Sequence, residues 1–98
     1  MGKLRVSPKA RADLDGVWWY IARESGSTDT ATRVTDNIAQ QFWLLNRYPN
    51  LGRRRDDLRP GLRSFAAGDY VIIYRVENTT VVIIHILHGS RDIGGLLK

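Results

Sequence analysis

Two stretches near the end of the chain, Tyr70-Val-Ile-Ile-Tyr-Arg75 and Val81-Val-Ile-Ile-His-Ile-Leu-His-Gly-Ser-Arg-Asp92, decide its fold. Both are rich in β-branched and aromatic residues, which favour strands. Because Glu77-Asn78-Thr79-Thr80 between them has the composition of a tight turn, the pattern predicts a β-hairpin. The second strand is apolar on both faces and is therefore expected near the centre of a sheet. It ends in a polar cluster formed by His88, Gly89, Ser90, Arg91 and Asp92.

Two further strands are predicted outside this hairpin. Leu62-Arg-Ser-Phe-Ala66 has strand composition, and Ala67-Gly68-Asp69 is a turn sequence that connects it to the hairpin. At the N-terminus, Leu4 and Val6 alternate with polar residues, which is the period of a half-buried strand. We therefore expect a mainly antiparallel, four-stranded sheet.

Two helices are predicted between the first strand and the rest of the sheet. Ser7-Pro8 is a helix start, because serine caps free N–H groups and proline suits the first helical position. Gly26 ends this helix, Ser27-Thr28-Asp29 caps the next one, and the second helix stops before Pro49. Each helix has one apolar stripe, formed by Ala10, Leu14, Val17, Trp18 and Ile21 in the first and by Ala31, Val34, Ile38, Phe42 and Leu45 in the second.

These elements define the fold class. Two helices joined by a short polar turn pack as an antiparallel hairpin. The order strand, helix, helix and three strands then predicts an α+β domain, in which the helical hairpin covers one face of the sheet. With 98 residues, the chain has room for this single domain, spanning residues 1–98.

Composition limits the classes of function. Lys and Arg number 15 against 10 Asp and Glu, and the net charge of +5 favours an acidic partner, either nucleic acid or an acidic protein segment. Since there is no cysteine, no disulfide framework and no thiolate metal site is expected. The N-terminus lacks the apolar run of a signal peptide. No apolar stretch approaches the ~20 residues of a membrane helix. We expect a cytoplasmic protein without membrane contact.

Two groups of side chains have no place in the predicted core. Aromatic and apolar residues flank the helical stripes, and they either pack against the sheet, as most of them are expected to do, or form an apolar groove for a partner: Trp19, Tyr20, Trp43 and Leu44. Arginines are concentrated in the segment before the third predicted strand, which is either a solvated loop or a binding surface: Arg53, Arg54, Arg55, Arg59 and Arg63, offset by Asp56 and Asp57.

Catalytic and metal chemistry find little support in the residues. His85 and His88 are three apart on a strand, so they are expected on opposite faces of the sheet, without a third metal ligand nearby. A metal-independent ribonuclease needs a proton donor or acceptor and cations for the developing phosphorane charge. His88 is suited to the first role, and Arg63, Arg75 and Arg91 are suited to the second. However, Val71 and Ile73 flank Arg75 on its face, and aliphatic side chains do no such chemistry.

Six segments in order along the chain carry a family resemblance: Leu4-Arg-Val-Ser-Pro-Lys-Ala10, Ile21-Ala22, Tyr48-Pro-Asn-Leu-Gly-Arg53, Leu58-Arg-Pro-Gly-Leu-Arg-Ser-Phe65, Tyr70-Val-Ile-Ile-Tyr-Arg75 and Leu87-His-Gly-Ser-Arg-Asp92. Together they resemble the ParE branch of the RelE/ParE toxins of bacterial type II toxin–antitoxin systems. The resemblance covers essentially the whole chain. It implies a helical hairpin on an antiparallel sheet, which is the arrangement predicted above.

The resemblance also implies partners. A ParD-like antitoxin is expected, with a DNA-binding N-terminal part and an acidic, amphipathic C-terminal segment that folds onto the toxin. A basic chain with surplus aromatic side chains suits such a segment. Characterised ParE toxins inhibit DNA gyrase, whereas toxins of the RelE branch are ribosome-dependent mRNA endonucleases. No cofactor or metal is implied, and DNA is expected to be reached only through the antitoxin or gyrase.

Departures from the nuclease pattern separate the two branches. RelE-type nucleases have a cation early in the penultimate strand and an arginine, tyrosine or histidine set at the end of the chain. Here Val71 stands at the first place and Leu87, Gly89 and Ser90 stand among the second. We therefore expect gyrase inhibition without catalytic residues. An mRNA endonuclease remains an alternative, as does a degenerate toxin that acts only with its antitoxin as a binding module and autorepressor.

Particular residues are expected at the two interfaces. The polar end of the hairpin and the neighbouring strand supply the candidate target contacts: Arg75, His88, Arg91 and Asp92. The surplus aromatic residues and the arginine-rich segment supply the candidate antitoxin contacts: Trp19, Tyr20, Trp43, Arg53, Arg59 and Arg63.

Overall fold

The computed structural model describes residues 2–90 and 93–96. In chain order the elements are β1 (Lys3–Val6), α1 (Pro8–Ser25), α2 (Thr28–Arg47), β2 (Arg53–Arg54), β3 (Arg63–Ala67), β4 (Tyr70–Glu77), β5 (Thr80–His88) and α3 (Ile93–Leu96). This order confirms the predicted α+β class. Within the described ranges, no helix is both long enough and apolar enough to cross a bilayer.

Local sequence signals set the ends of both long helices. The backbone N–H of Ala10 donates to the Ser7 hydroxyl over 3.0 Å, so Ser7 is the N-cap and Pro8 takes the first helical position. Gly26 ends α1 with a φ of 68°, in the left-handed region that glycine adopts without strain. Ser27 caps α2 by accepting from the N–H of Thr30 at 3.1 Å. These contacts confirm the predicted helix boundaries.

The sheet has the strand order β1-β5-β4-β3-β2. β1 pairs in parallel with β5, and the other neighbouring strands pair antiparallel. The predicted count of four strands was one too low, because the two-residue strand β2 pairs with Ser64 and Arg63 of β3. A strand of two charged residues has no hydrophobic period and is therefore indistinguishable from a loop in the sequence.

The hairpin between β4 and β5 contains an irregular register. Tyr74 pairs with Ile83, whereas Ile73 pairs with His85, so one residue of β5 is extra and forms a β-bulge. The two-residue connection at Asn78-Thr79 puts Asn78 at a φ of 56°, a conformation that asparagine tolerates in tight hairpin turns. The turn confirms the predicted hairpin, and the bulge changes which β5 side chains face the helices.

Apolar side chains are buried on both faces of the sheet. The larger cluster lies between the helices and the sheet and includes Ile38, Phe42, Leu45, Ile72, Tyr74 and Ile83. A smaller cluster on the opposite face contains Leu62 and Ile73, packed against Leu58, Val71, Ile84, Leu87 and Ile93. Because β4 and β5 have a core on each side, their sequences are apolar at successive positions.

The Tyr74 hydroxyl ties the segment after α2 to the sheet. It donates to the carbonyl of Pro49 and accepts from the N–H of Gly52, both over 2.8 Å. The ring is fully buried, and this burial raises the pKa of Tyr74. Arg63 adds a second tie, because its Nη1 donates to the Gly52 carbonyl over 2.8 Å. The start of the arginine-rich segment is therefore held against the core at Pro49 and Gly52.

Candidate functional site

A groove of about 780 Å³ runs between α1 and the C-terminal half of β5. β1 accompanies β5 only as far as Ile83, and within the described residues no strand pairs with that edge beyond it. Helix α1 forms the opposite wall. Polar and titratable side chains line the groove. Helix α1 contributes Lys9, Asp13, Tyr20 and Arg23, and the sheet with the turn after β5 contributes Tyr70, His85, His88 and Ser90.

Asp13 closes the floor of this groove. Its Oδ2 accepts the backbone N–H of Ile86 over 3.1 Å, and its Oδ1 accepts from Lys9 Nζ over 2.8 Å. The side chain of Asp13 is only 10% exposed. Among the described residues no strand pairs with this edge of β5 beyond Ile83, so the carboxylate takes the place of a missing strand neighbour. This role of Asp13 could not be predicted from the sequence, because Asp13 has the spacing of any polar residue on an amphipathic helix.

The pairing of β5 with β4 is regular between the two histidines: His85 lies opposite Ile73, and His88 lies opposite Tyr70. This register agrees with the expected opposite faces, since Ile73 belongs to the smaller apolar cluster and Tyr70 to the larger one. Both histidines nevertheless line the groove beside α1. His85 Nδ1 lies 3.4 Å from Asp13 Oδ2. The groove follows the edge of β5 that β1 leaves open beyond Ile83, and both histidines line it there. Within residues 2–90 and 93–96, no three potential metal ligands come together.

We predict that Asp13→Ala lowers the free energy of unfolding by about 1.5 kcal/mol, because it leaves the Ile86 N–H without its acceptor. Asp13→Asn keeps an oxygen in place and should cost less. Chemical denaturation measures both changes, with Asp15→Ala as the control, since Asp15 is an exposed aspartate of the same helix. Equal losses for Asp13→Ala and Asp15→Ala would contradict the assigned role of the Asp13 carboxylate.

The imidazole of His88 is held in one tautomer. Its Nδ1 accepts the backbone N–H of Ser90 over 3.1 Å, and the Ser90 hydroxyl lies 2.6 Å from the same atom. An N–H group can only donate, so Nδ1 is the acceptor and the proton of the neutral ring lies on Nε2. The ring packs edge-on against Tyr70, with centroids 5.3 Å apart. His88 therefore offers a hydrogen-bond donor at Nε2.

The structure does not bring the expected target contacts together. Arg75 pairs with Glu77 over 2.8 Å, and Glu77 also binds Arg5 over 3.0 Å. His88 lies opposite Tyr70, which is five residues from Arg75 along β4, or about 17 Å at the usual rise per residue. Arg75 also faces away from the helices, whereas His88 faces the groove. Arg91 and Asp92 lie outside the described residues.

The surplus aromatic side chains are exposed, so the expectation that most of them pack against the sheet was wrong. Trp19 and Trp43 are each 66% exposed and Tyr20 is 53% exposed. Trp18 is half-buried, and its Nε1 links α1 to α2 by donating to the Thr32 hydroxyl over 3.0 Å. Trp43 lies eleven positions beyond Thr32 on α2, about 16 Å along the helix axis. The helical hairpin therefore presents aromatic side chains at two separate places.

The arginine-rich segment contains internal ion pairs. Arg54 binds Asp56 over 2.8 Å, and Arg55 binds Asp57 over 3.0 Å. The Gly61 N–H and, to a smaller extent, Arg54 lower the pKa of Asp56, while Arg55 lowers the pKa of Asp57. Of the predicted antitoxin contacts here, Arg53 and Arg59 are exposed and Arg63 is half-buried. Arg54, which was not among the predicted contacts, lies on β2 directly opposite Arg63 on β3.

A helical hairpin on a five-stranded, mainly antiparallel sheet is also the fold of solved chains from ParDE and RelBE systems, which identifies the chain as a toxin of the RelE/ParE superfamily. The family model described as ParE toxin of type II toxin-antitoxin system, parDE, matches residues 4–93. The chain belongs to this ParE toxin family, and it is the toxin of a type II toxin–antitoxin system.

Individual relatives agree with this assignment. Toxin ParE3 of Caulobacter vibrioides is 34% identical over 97 residues, which cover 99% of this chain and 96% of the relative. Toxin RelE3 of the same organism is 34% identical over 91 residues, covering 91% of this chain and 96% of the relative. Among solved structures, a chain of the chromosomal ParDE system from P. aeruginosa has a TM-score of 0.79 and 26% identity, covering 90% of this chain and 96% of that one. A chain of the RelBE2 toxin–antitoxin complex from Mycobacterium tuberculosis has a TM-score of 0.66 and 26% identity, covering 89% and 96%.

Proposed function

We propose that this toxin inhibits bacterial DNA gyrase by binding, without hydrolytic chemistry of its own, and that a ParD-like antitoxin neutralises it. It traps gyrase in the complex with cleaved DNA. The toxin works in the cytoplasm and reaches DNA only through gyrase or the antitoxin. Arg75, His88, Arg91 and Asp92 are the proposed target contacts.

The tautomer of His88 is the observation that carries this proposal. A general base needs an unprotonated nitrogen that is free to accept the substrate proton. In His88 the accepting nitrogen, Nδ1, is already bonded to the Ser90 N–H, and the outward Nε2 holds a proton. Val71 adds no acid, base or cation to the adjacent strand. The polar end of the hairpin is therefore better suited to hydrogen bonding with a protein surface than to proton transfer.

Exposed aromatic side chains and positive charge support the antitoxin partner. Trp19, Tyr20 and Trp43 are each more than half exposed, although large aromatic side chains usually gain stability from burial. The whole chain has a net charge of +5. An acidic amphipathic segment would cover the rings with its apolar side and meet the arginines with its carboxylates. Antitoxin binding then buries side chains that the isolated toxin leaves in water.

A ribosome-dependent mRNA endonuclease is the second candidate function. The observation in its favour is the groove itself, which is lined by His85, His88 and Tyr70 together with Lys9 and Arg23. If this set cleaves mRNA, toxin added to a translating extract should cut the message, and His88→Ala should abolish cleavage. Intact mRNA in the presence of active toxin would remove this candidate.

A supercoiling assay with purified gyrase tests the main proposal. We expect the toxin to suppress supercoiling and to leave cleaved DNA after protein removal, and we expect its antitoxin to reverse both effects. His88→Gln, which keeps an amide donor, should retain more inhibition than His88→Ala. Neither inhibition nor cleaved DNA at toxin excess would refute gyrase as the target. Normal growth of cells that express the chain alone would favour a degenerate toxin.

A further inference from the structure

A second, smaller cavity lies at the opposite edge of the sheet from the groove. It has a volume of about 210 Å³ and is bounded by Asn50 after α2, Arg54 on β2, Arg63 on β3 and Val76 on β4. Arg54 and Arg63 occupy opposed positions in the pairing of β2 with β3. Side chains at such positions point to the same side of the sheet, so this arginine cleft has two guanidinium groups in its wall.

The arginine cleft has an excess of positive charge. Arg63 donates through Nη1 to the carbonyl groups of Gly52 and Asn50, at 2.8 and 3.4 Å, and these bonds neutralise no charge. Arg54 binds Asp56 over 2.8 Å but remains 72% exposed. Two cations therefore share one carboxylate. A guanidinium group has five N–H donors in a planar fork that matches a carboxylate, so donors remain for a second anion.

Exposed apolar side chains lie in the wall of the arginine cleft and on the segment that contributes Asn50 to it. Val76, in its wall, is 36% exposed, Leu51 is 49% exposed and Tyr48 is 53% exposed. Tyr48 and Leu51 belong to the segment that Tyr74 fixes to the sheet through Pro49 and Gly52. An apolar border beside two arginines is typical of a surface that binds a protein, since nucleic-acid surfaces are more polar and more uniformly basic.

We propose that the arginine cleft is a socket for a glutamate or aspartate side chain of the antitoxin, with apolar neighbours of that residue covering Leu51 and Val76. The inference rests on the proposed neutralisation by an acidic amphipathic segment, and it specifies where one carboxylate of that segment binds. The carboxylate lies between Arg54 and Arg63 and accepts hydrogen bonds from both. Charge-assisted bonds to a forked guanidinium supply direction as well as attraction.

Binding of a designed acidic peptide tests the arginine cleft on the toxin alone. The probe is a short amphipathic peptide of leucine, alanine and glutamate, and its control has glutamine at every glutamate position. NMR spectra of isotope-labelled toxin report the arginine Nε–H and backbone N–H groups one by one. We expect the acidic peptide to shift the signals of Arg54, Arg63 and Gly61, and we expect the glutamine peptide to leave them unchanged.

Single substitutions distinguish specific binding of the acidic peptide in the cleft from nonspecific attraction between opposite charges. Arg54→Gln and Arg63→Gln should each weaken acidic-peptide binding by about tenfold. Arg33→Gln removes an equal charge from an exposed position near the start of α2 and should change binding by less than about twofold. Arg54 is the safer variant, because Arg63 also holds Gly52, and the amide spectrum shows whether each variant is folded.

Three outcomes would overturn this assignment. The first is equal loss of binding in Arg33→Gln and Arg54→Gln, which indicates nonspecific charge attraction. The second is acidic-peptide binding with unchanged Arg54 and Arg63 signals, which places the carboxylates elsewhere. The third is a short DNA oligonucleotide that binds the same arginines as tightly as the peptide, which indicates a phosphate surface. None of these results depends on gyrase, so failure of the cleft and failure of the proposed target are distinguishable.

Discussion

Gly52→Ala is expected to lower the free energy of unfolding by about 2 to 3 kcal/mol, because the added methyl group has no space. A Cβ atom built at this position lies 2.6 Å from Cε1 and 2.9 Å from Cζ of Tyr74. These atoms belong to a buried ring that is held by hydrogen bonds at its hydroxyl. Either the ring or the segment after α2 must move, and both movements break the bond between the Gly52 N–H and the tyrosine oxygen.

Gly16→Ala is the matched control for this substitution. A Cβ at Gly16 meets nothing within 4 Å, and the residue lies inside α1. Alanine favours a helix interior over glycine by up to about 1 kcal/mol, so this variant should be neutral or more stable. Urea denaturation of the two variants and the wild type measures the contrast. A loss below about 0.5 kcal/mol for Gly52→Ala would mean that Tyr74 is not a fixed anchor.

The helical part of the fold could be predicted from the sequence because its signals are local. Ser7 and Ser27 cap helices through hydrogen bonds that span three residues, and Gly26 ends α1 through its own backbone angle. The apolar stripes of α1 and α2 likewise depend on spacing along one chain segment. Local rules of this kind hold when tertiary packing favours the same conformation as the local sequence.

The strand region was predicted less completely because it depends on contacts between distant segments. The bulge in β5 arises in its pairing with β4, and the Asp13 carboxylate that accepts the Ile86 N–H is 73 positions away along the chain. Periodicity assumes a regular strand, so it predicts neither the bulge nor the hydrogen bond between Asp13 and Ile86. The same limit applies to Arg54 and Arg63. Their opposition follows from the pairing of β2 with β3, and no spacing rule links two arginines nine positions apart.

The exposure of the aromatic residues was also predicted incorrectly from the sequence. Counting apolar residues shows that the helices have more than the core needs, but it does not say which of them remain outside. The structure buries Phe42 and Leu45, while Trp43 and Leu44 between them face solvent. Phe42 and Leu45 belong to the apolar stripe of α2, so Trp43 and Leu44 lie on other faces of the helix and point outward. The surplus therefore marks the surface that needs a partner.

Trp19→Ala and Tyr20→Ala are expected to weaken antitoxin binding by about 30-fold each, because large aromatic side chains dominate the energy of protein interfaces. Tyr20 lines the groove and Trp19 is its neighbour on α1. Both side chains are more than half exposed, so their removal should change the stability of the isolated toxin little. Calorimetric titration of each purified toxin variant with the antitoxin measures the affinity.

Asn37→Ala is the control, since Asn37 is an exposed polar residue on α2 and its removal should alter the affinity by less than about twofold. Trp43→Ala then locates the bound segment. A loss similar to that of Trp19→Ala means that the antitoxin crosses the helical hairpin toward the arginine cleft, whereas an unchanged affinity confines it to the groove side of α1. Full affinity in both Trp19→Ala and Tyr20→Ala would refute the aromatic surface of α1 as an antitoxin site, because a bound segment cannot cover these rings without gaining from their contact area.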